Sequence, residues 1–284
     1  MESLTRLTQV RGLDVSPTDR DLVTSGEFRD WADEVWEANR TGPYTIATGN
    51  VAAWLPYPVI ATRYDEIATQ LEEQNYAAYL PEGTHPTIIA GYEAQMRSYA
   101  DAMRANHTAF YNQVVTSAAS NGLLSALHPL SRGTINIDPE DPESEPLVDY
   151  RALSNPLDAA VMADMLRFTR SFYFDNRVNE KYDPVELLPG VSVKTDEEMV
   201  EYLAQTLSPS VYHPSGTAAM LPKELGGVVD EELKVYGIER LRVADASIMP
   251  TLVGANTCQT VYAIGEKVCY NGREPICMAS EFHY

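Results

Sequence analysis

Apolar positions recur at helical spacing along much of the chain. The longest periodic stretch runs from Thr87 to Ser117. There Ile89, Tyr92, Met96, Tyr99 and Met103 alternate steps of three and four, and Phe110 and Val114 extend the stripe. His107 falls on the same stripe, where a hydrogen-bonded histidine at a core edge is the expectation and a catalytic one the alternative. Asp158 to Phe174 sets Val161, Met165, Phe168 and Phe172 on one side of another helix. Thr195 with Glu198 makes a capping box that opens a helix to Leu207, with Met199 and Leu203 inward. Thr24 with Glu27 makes a similar box before Phe28, Trp31 and Val35, predicting a helix to Asn39 that Gly42-Pro43 ends. A short helix is expected from Asp65 to Asn75.

Strand patterning is sparser. Tyr44 to Ile60 is β-prone but interrupted by Gly49, Pro56 and Pro58, so it reads as strand and loop. Gly133 to Asp138 alternates as a half-buried strand does. The acidic run from Asp138 to Glu145, laced with Pro139 and Pro142, is expected as a solvated loop, because its spacing is not that of a calcium loop. Long helices and isolated strands do not alternate as βαβ units, and no GxGxxG occurs. The expected class is α+β, with an antiparallel sheet and helices.

The stretch from Val211 to Val268 carries the candidate chemistry. His213 stands in a Pro/Ser/Gly turn, and Gly216 lets a flat ligand approach the backbone closely. Leu241 to Ala244 reads as a short strand ending on Asp245, where a carboxylate can hold a hydroxyl-rich ligand. Asn256 is placed at a helix start, with Val261, Ile264 and Val268 on the buried face, and a helix start offers free N–H groups to a developing negative charge. Each residue alone has a bland explanation: a structural histidine, a turn aspartate, an ordinary cap. Together they describe a redox or proton-transfer site.

Composition narrows the partners. The chain has 284 residues, 44% of them hydrophobic, which is enough for a sizeable core. A net charge of −20 argues against nucleic acid and against an anionic membrane surface. No apolar run approaches the roughly 20 residues that span a bilayer. Three cysteines near the C-terminus form no CxxC, and five scattered histidines show no HExxH, so no metal site is expected. The opening MESLTRLTQV has no apolar signal region, while Asn39-Arg40-Thr41 and Asn106-His107-Thr108 match the glycosylation sequon, so compartment stays open, as does oligomeric state.

The order His213-Pro214-Ser215-Gly216-Thr217, Met220, Gly226-Gly227-Val228-Val229-Asp230, Val235-Tyr236-Gly237, Leu241 to Ser247, Pro250 and Asn256 resembles the C-terminal region of the glucose–methanol–choline (GMC) oxidoreductases. Pro129-Leu130-Ser131-Arg132-Gly133 is similar to another segment of that family, and residues before it resemble only substrate-domain material. The resemblance implies FAD as cofactor and a small-molecule alcohol as substrate, oxidised by hydride transfer to the flavin. It implies that His213 and Asn256 are the paired catalytic positions, that Asp245 and Ala246 contact the ribityl–pyrophosphate side of FAD, and that the Thr257 backbone stabilises charge on the reduced ring. It further implies that residues 1–210 mostly build a substrate-binding domain, that 211–270 complete a FAD-binding domain of which the Rossmann part is not represented, and that 271–284 form a tail. The chain then corresponds to the C-terminal half of a member. Two readings of function follow: a flavin-dependent alcohol oxidase or dehydrogenase, or a non-catalytic remnant that keeps the substrate-domain fold.

Overall fold

The computed structural model describes residues 4–11, 21–45, 51–115, 121–175, 177–182 and 184–272; Gly49, the end of the Thr87–Ser117 stripe and residues 273–284 of the expected tail lie outside them. In chain order the elements are β1 (Leu4–Arg11), α1 (Asp21–Thr24), α2 (Gly26–Asn39), β2 (Val51–Pro56), α3 (Tyr57–Ile60), α4 (Tyr64–Glu72), α5 (Pro86–Arg104) and β3 (Ala109–Val115). There follow β4 (Asn121–Ala126), β5 (Thr134–Asn136), β6 (Leu147–Asp149), α6 (Leu157–Phe174), α7 (Arg177–Tyr182), β7 (Val185–Leu188), α8 (Asp196–Thr206) and α9 (Cys258–Gly272).

Five strands form one sheet in the order β2-β3-β4-β1-β7, and every pairing is antiparallel. β1 lies between β4 and β7, with Leu4 opposite Ala126 and Gln9 opposite Asn121. β5 and β6 make a separate two-stranded ribbon. The α+β class expected from the sequence is the class observed.

α5 is the central helix. His85 caps its start, accepting the Thr87 N–H, and Pro86 occupies the first turn, where a missing N–H costs nothing. Tyr92, Met96, Tyr99 and Met103 are buried along its inner face. Each such side chain removed from water contributes about 1.5–3 kcal/mol. The helix stops where Ala105 takes extended angles, φ −86° and ψ 141°. The expected stripe therefore divides. Phe110 and Val114 belong to β3, and His107 sits exposed in the connecting turn, not at a core edge.

α6 packs over β4 and α8, burying Val161 and Met165. On β3, Tyr111 meets Phe168 of α6 with ring centroids 5.6 Å apart, and its neighbour Phe110 points to the other face, 5.9 Å from Tyr57. Asp164, 6% exposed, binds the Arg63 guanidinium and the Arg167 guanidinium and accepts the Tyr57 hydroxyl at 2.7 Å. The buried charge is thus compensated on every side, as burial requires. α8 opens with the capping box of Thr195 and Glu198 that the sequence predicts, and Met199 and Leu203 are buried.

At α2 the cap differs from expectation. Ser25, not Thr24, accepts the Phe28 N–H, and Thr24 ends the separate turn α1. One residue of register decides this, since only Ser25 has the extended angles of a cap. A second cluster lies C-terminally, where Val229, Leu233, Ile248, Met249 and Ile264 bury one another, with Val261 and Val268 packed alongside.

Candidate functional site

The turn that bears His213 is shaped by backbone constraints. The Tyr212 N–H donates to Ser210 Oγ at 3.0 Å, and Tyr212 itself sits at φ 65°. A non-glycine residue in that region costs energy and is held there only when its surroundings fix it. His213 follows, half-buried. Gly216 has φ 84°, which an L side chain would strain.

From Gly216 a three-bond ladder joins the turn to the segment of Asp245. The Gly216 N–H donates to Ala246 O at 3.3 Å, Ala218 to Ser247 O at 2.9 Å, and Met220 to Ile248 O at 2.8 Å. Beyond it the chain doubles back through Gly226 and Gly227. A Cβ on Gly227 would lie 1.7 Å from Leu221 O, so no other residue fits there.

Asp245 does not end a strand. Leu241 to Ala244 contributes only an isolated bridge, Lys234 with Arg242, because the segment opposite is too short to extend a ladder. Asp245 instead caps a 3-10 turn, Ala246–Ile248, its Oδ1 accepting the Ser247 N–H at 2.8 Å. Its carboxylate is exposed. Asn256 is not the cap of α9. The Thr257 carbonyl accepts the Val261 N–H at 3.0 Å, which makes buried Thr257 the cap and puts exposed Asn256 one position before it.

The Pro129–Gly133 segment faces these elements and is fixed from below. Asp158, in the first turn of α6 and 3% exposed, accepts the N–H groups of Leu130 at 2.7 Å and Ser131 at 2.8 Å. Burial pushes the Asp158 carboxyl up, and the two backbone donors pull it back. Arg132 donates to Gln95 Oε1 and to the carbonyls of Pro129 and Ser131, with its guanidinium over the rings of Tyr92 and Tyr99.

Between these walls lie two cavities of about 460 Å³ and about 630 Å³. Both are lined by Gly133, Thr134, Ile135, Ser215 and Thr217; Asp245 and Ala246 line the smaller one, and Gly216 and Arg132 the larger. His213, Asn256 and Thr257 line neither. The structure therefore brings the His213 turn and Asp245-Ala246 together directly, and reaches Asn256 and Thr257 through the loop that follows. Asp158 and Gln95 escaped the sequence reading, because an acid in the first turn of a helix looks the same whether it is exposed or buried against a loop. Among the described residues no cluster of His, Cys, Asp and Glu is arranged to hold a metal, and no helix is long and apolar enough to cross a membrane.

The GMC oxidoreductase family model matches residues 129–265. A dehydrogenase, xptC, of Emericella nidulans is 33% identical over 206 residues, which are 72% of this chain and 33% of that protein. The solved structure of a FAD-dependent oxidoreductase from Chaetomium thermophilum superposes with a TM-score of 0.91 at 29% identity, covering 96% of this chain and 47% of the other. That of a fungal aryl-alcohol oxidase gives 0.89 at 32% identity, covering 95% and 47%. The chain thus spans between a third and a half of the length of these relatives. The run of motifs from His213 to Asn256 lies inside the matched segment, and the chain belongs to the GMC oxidoreductase family.

Proposed function

We propose that the chain forms the substrate-side and ring-side walls of a site that oxidises a small-molecule alcohol with FAD. The observation that carries this is the ladder from Gly216 to Ala246, which holds the His213 turn along the same cavity wall as Asp245. The cavity residues suit part of the cofactor. The bare backbone of Gly216 at the larger cavity and the apolar side chains of Pro129 and Ile135 at the smaller one suit a flat ring, and the exposed Asp245 carboxylate accepts hydroxyl donors. FAD, when bound, supplies the two-electron acceptor for the oxidation.

His213 takes the proton of the alcohol hydroxyl, work for which an imidazole is suited near neutral pH. Asn256 donates a hydrogen bond to the same oxygen and so fixes the carbon that is oxidised. The N–H groups of Thr257 and the first turn of α9 would supply partial positive charge to a bound flavin ring, as a helix start does. Residues 1–210 act mainly as the substrate-binding domain and 211–270 as part of the cofactor domain. The division agrees with the separate C-terminal cluster around Val229 and Ile264.

A non-catalytic role is favoured by one observation. Among the described residues no Lys or Arg lines the smaller cavity, and the Arg132 guanidinium at the larger one already binds Gln95 and two carbonyls. Among the described residues a pyrophosphate would therefore meet no uncommitted positive side chain at these two cavities. Titrating the chain with FAD and with riboflavin, followed by flavin fluorescence, separates the two readings. The proposal expects saturable quenching by both, with similar affinities because ring and ribityl contacts dominate. No saturation below about 1 mM, which corresponds to about −4 kcal/mol, sinks cofactor binding by this chain.

A further inference from the structure

The loop that carries Asn256 rests on a platform built from other parts of the chain. The Pro250 carbonyl accepts Gln95 Nε2 at 2.7 Å, and Leu252 is 1% exposed. Gly254 comes so close to that platform that a Cβ there would lie 3.1 Å from Ala109 O and 3.3 Å from His128 Nε2. His128 stands two residues beyond β4 and is 8% exposed. Its ring centroid is 4.8 Å from Phe110 and 5.1 Å from Tyr99. Neither ring nitrogen makes a hydrogen bond of ordinary geometry; the groups they face are the backbones of Leu252 and Ala109.

Burial pushes the His128 imidazole down to about 4, and the nearby Arg132 guanidinium acts in the same direction, so the ring is neutral at pH 7. The other titratable group at this spot is the Tyr99 phenol, which burial pushes up and which also faces Leu252. A neutral imidazole offers one donor and one acceptor to a buried backbone, whereas a phenyl ring of similar size offers neither.

We propose that His128 is a positioning residue for Asn256: an uncharged imidazole that, with Gly254, sets the height of the 250–255 loop over α5 and β3 and hence the point from which Asn256 reaches the substrate oxygen. The functional half of this rests on the role proposed for Asn256. The structural half does not, and the two fail separately. Protonating the ring places a charge between two aromatic rings and near Arg132, which loosens the loop seated on it.

Hydrogen exchange of the full chain tests this, with rates over residues 250–257 corrected for intrinsic pH dependence and α6 as internal reference. At pH 7, His128→Phe is expected to raise exchange over 250–257 by about tenfold with α6 unchanged, and His128→Gln to bring it back to within about threefold of the wild type. Gly254→Ala, which pushes the loop from the opposite side, is expected to loosen the same segment. In the wild type, protection of 250–257 relative to α6 falls as pH drops from about 6.5 to about 4 and levels off below. That step needs no variant to fold, and it is absent in His128→Phe. Unchanged exchange over 250–257 in His128→Phe, an equal rise in α6, or no acid step in the wild type overturns the inference. If the exchange results hold while Asn256→Ala leaves alcohol oxidation intact, the platform stands and the proposed role of Asn256 falls.

Discussion

The Gly216 N–H donates to the Ala246 carbonyl at 3.3 Å, and this bond begins the ladder that ties the histidine turn to the aspartate segment. Gly216 can make it because its φ is 84°. A Gly216→Ala variant is expected to lose about 1–2 kcal/mol of stability, since an L residue is strained there. Its flavin affinity should fall further than the loss of folded protein explains, because Gly216 lines the larger cavity. Denaturant unfolding and flavin titration on one sample check this. A variant with full stability and full flavin affinity contradicts it.

Asp158 and the backbone of Leu130 and Ser131 form the second joint of the site. Removing the carboxylate leaves two buried N–H groups without acceptors. Asp158→Ala is expected to cost about 3–5 kcal/mol, and Asp158→Asn less, since the amide oxygen still accepts one bond. Unfolding midpoints of the two variants provide the comparison. Equal losses would mean that the carboxylate's two backbone bonds do not hold the Pro129–Gly133 segment.

Acid should weaken the fold through His128. Its imidazole titrates near 6.5 when unfolded and at about 4 when folded. Between those values the unfolded chain binds the additional proton. The stability this residue contributes is full above about pH 6.5 and declines as pH drops to about 4, by about 3 kcal/mol in all, with no further change below. The pH profile of unfolding free energy for the wild type minus that for His128→Phe isolates the effect. A flat difference between pH 7 and pH 4 contradicts it.

The helices α5, α6 and α8 were legible because each carries its own periodic face, and α8 its own capping box. β1 was not. Its eight residues hold Leu4, Leu7 and Val10 among polar ones, and what makes them a strand is the partners β4 and β7, both distant in sequence. Phe110 and Val114 continued the α5 stripe by coincidence of spacing, and only the extended Ala105 breaks it. At the site, the order of small residues around His213, Gly216 and Asp245 could be read directly. The shift of the α9 cap from Asn256 to Thr257 could not, since both residue types serve as caps. Asp158, Gln95 and His128 were hidden for one reason: each acts through burial against a segment far away in the chain.

The most direct test of the central claim is anaerobic mixing of flavin-loaded chain with primary alcohols, aromatic and aliphatic, while following the absorbance of oxidised flavin. The wild type is expected to lose that absorbance in an alcohol-dependent way. His213→Ala should do so about 10²–10⁴-fold more slowly, the range lost with a general acid–base group. Equal rates in the two proteins, or loaded wild-type chain that no alcohol bleaches, would contradict the assignment of His213 to alcohol oxidation.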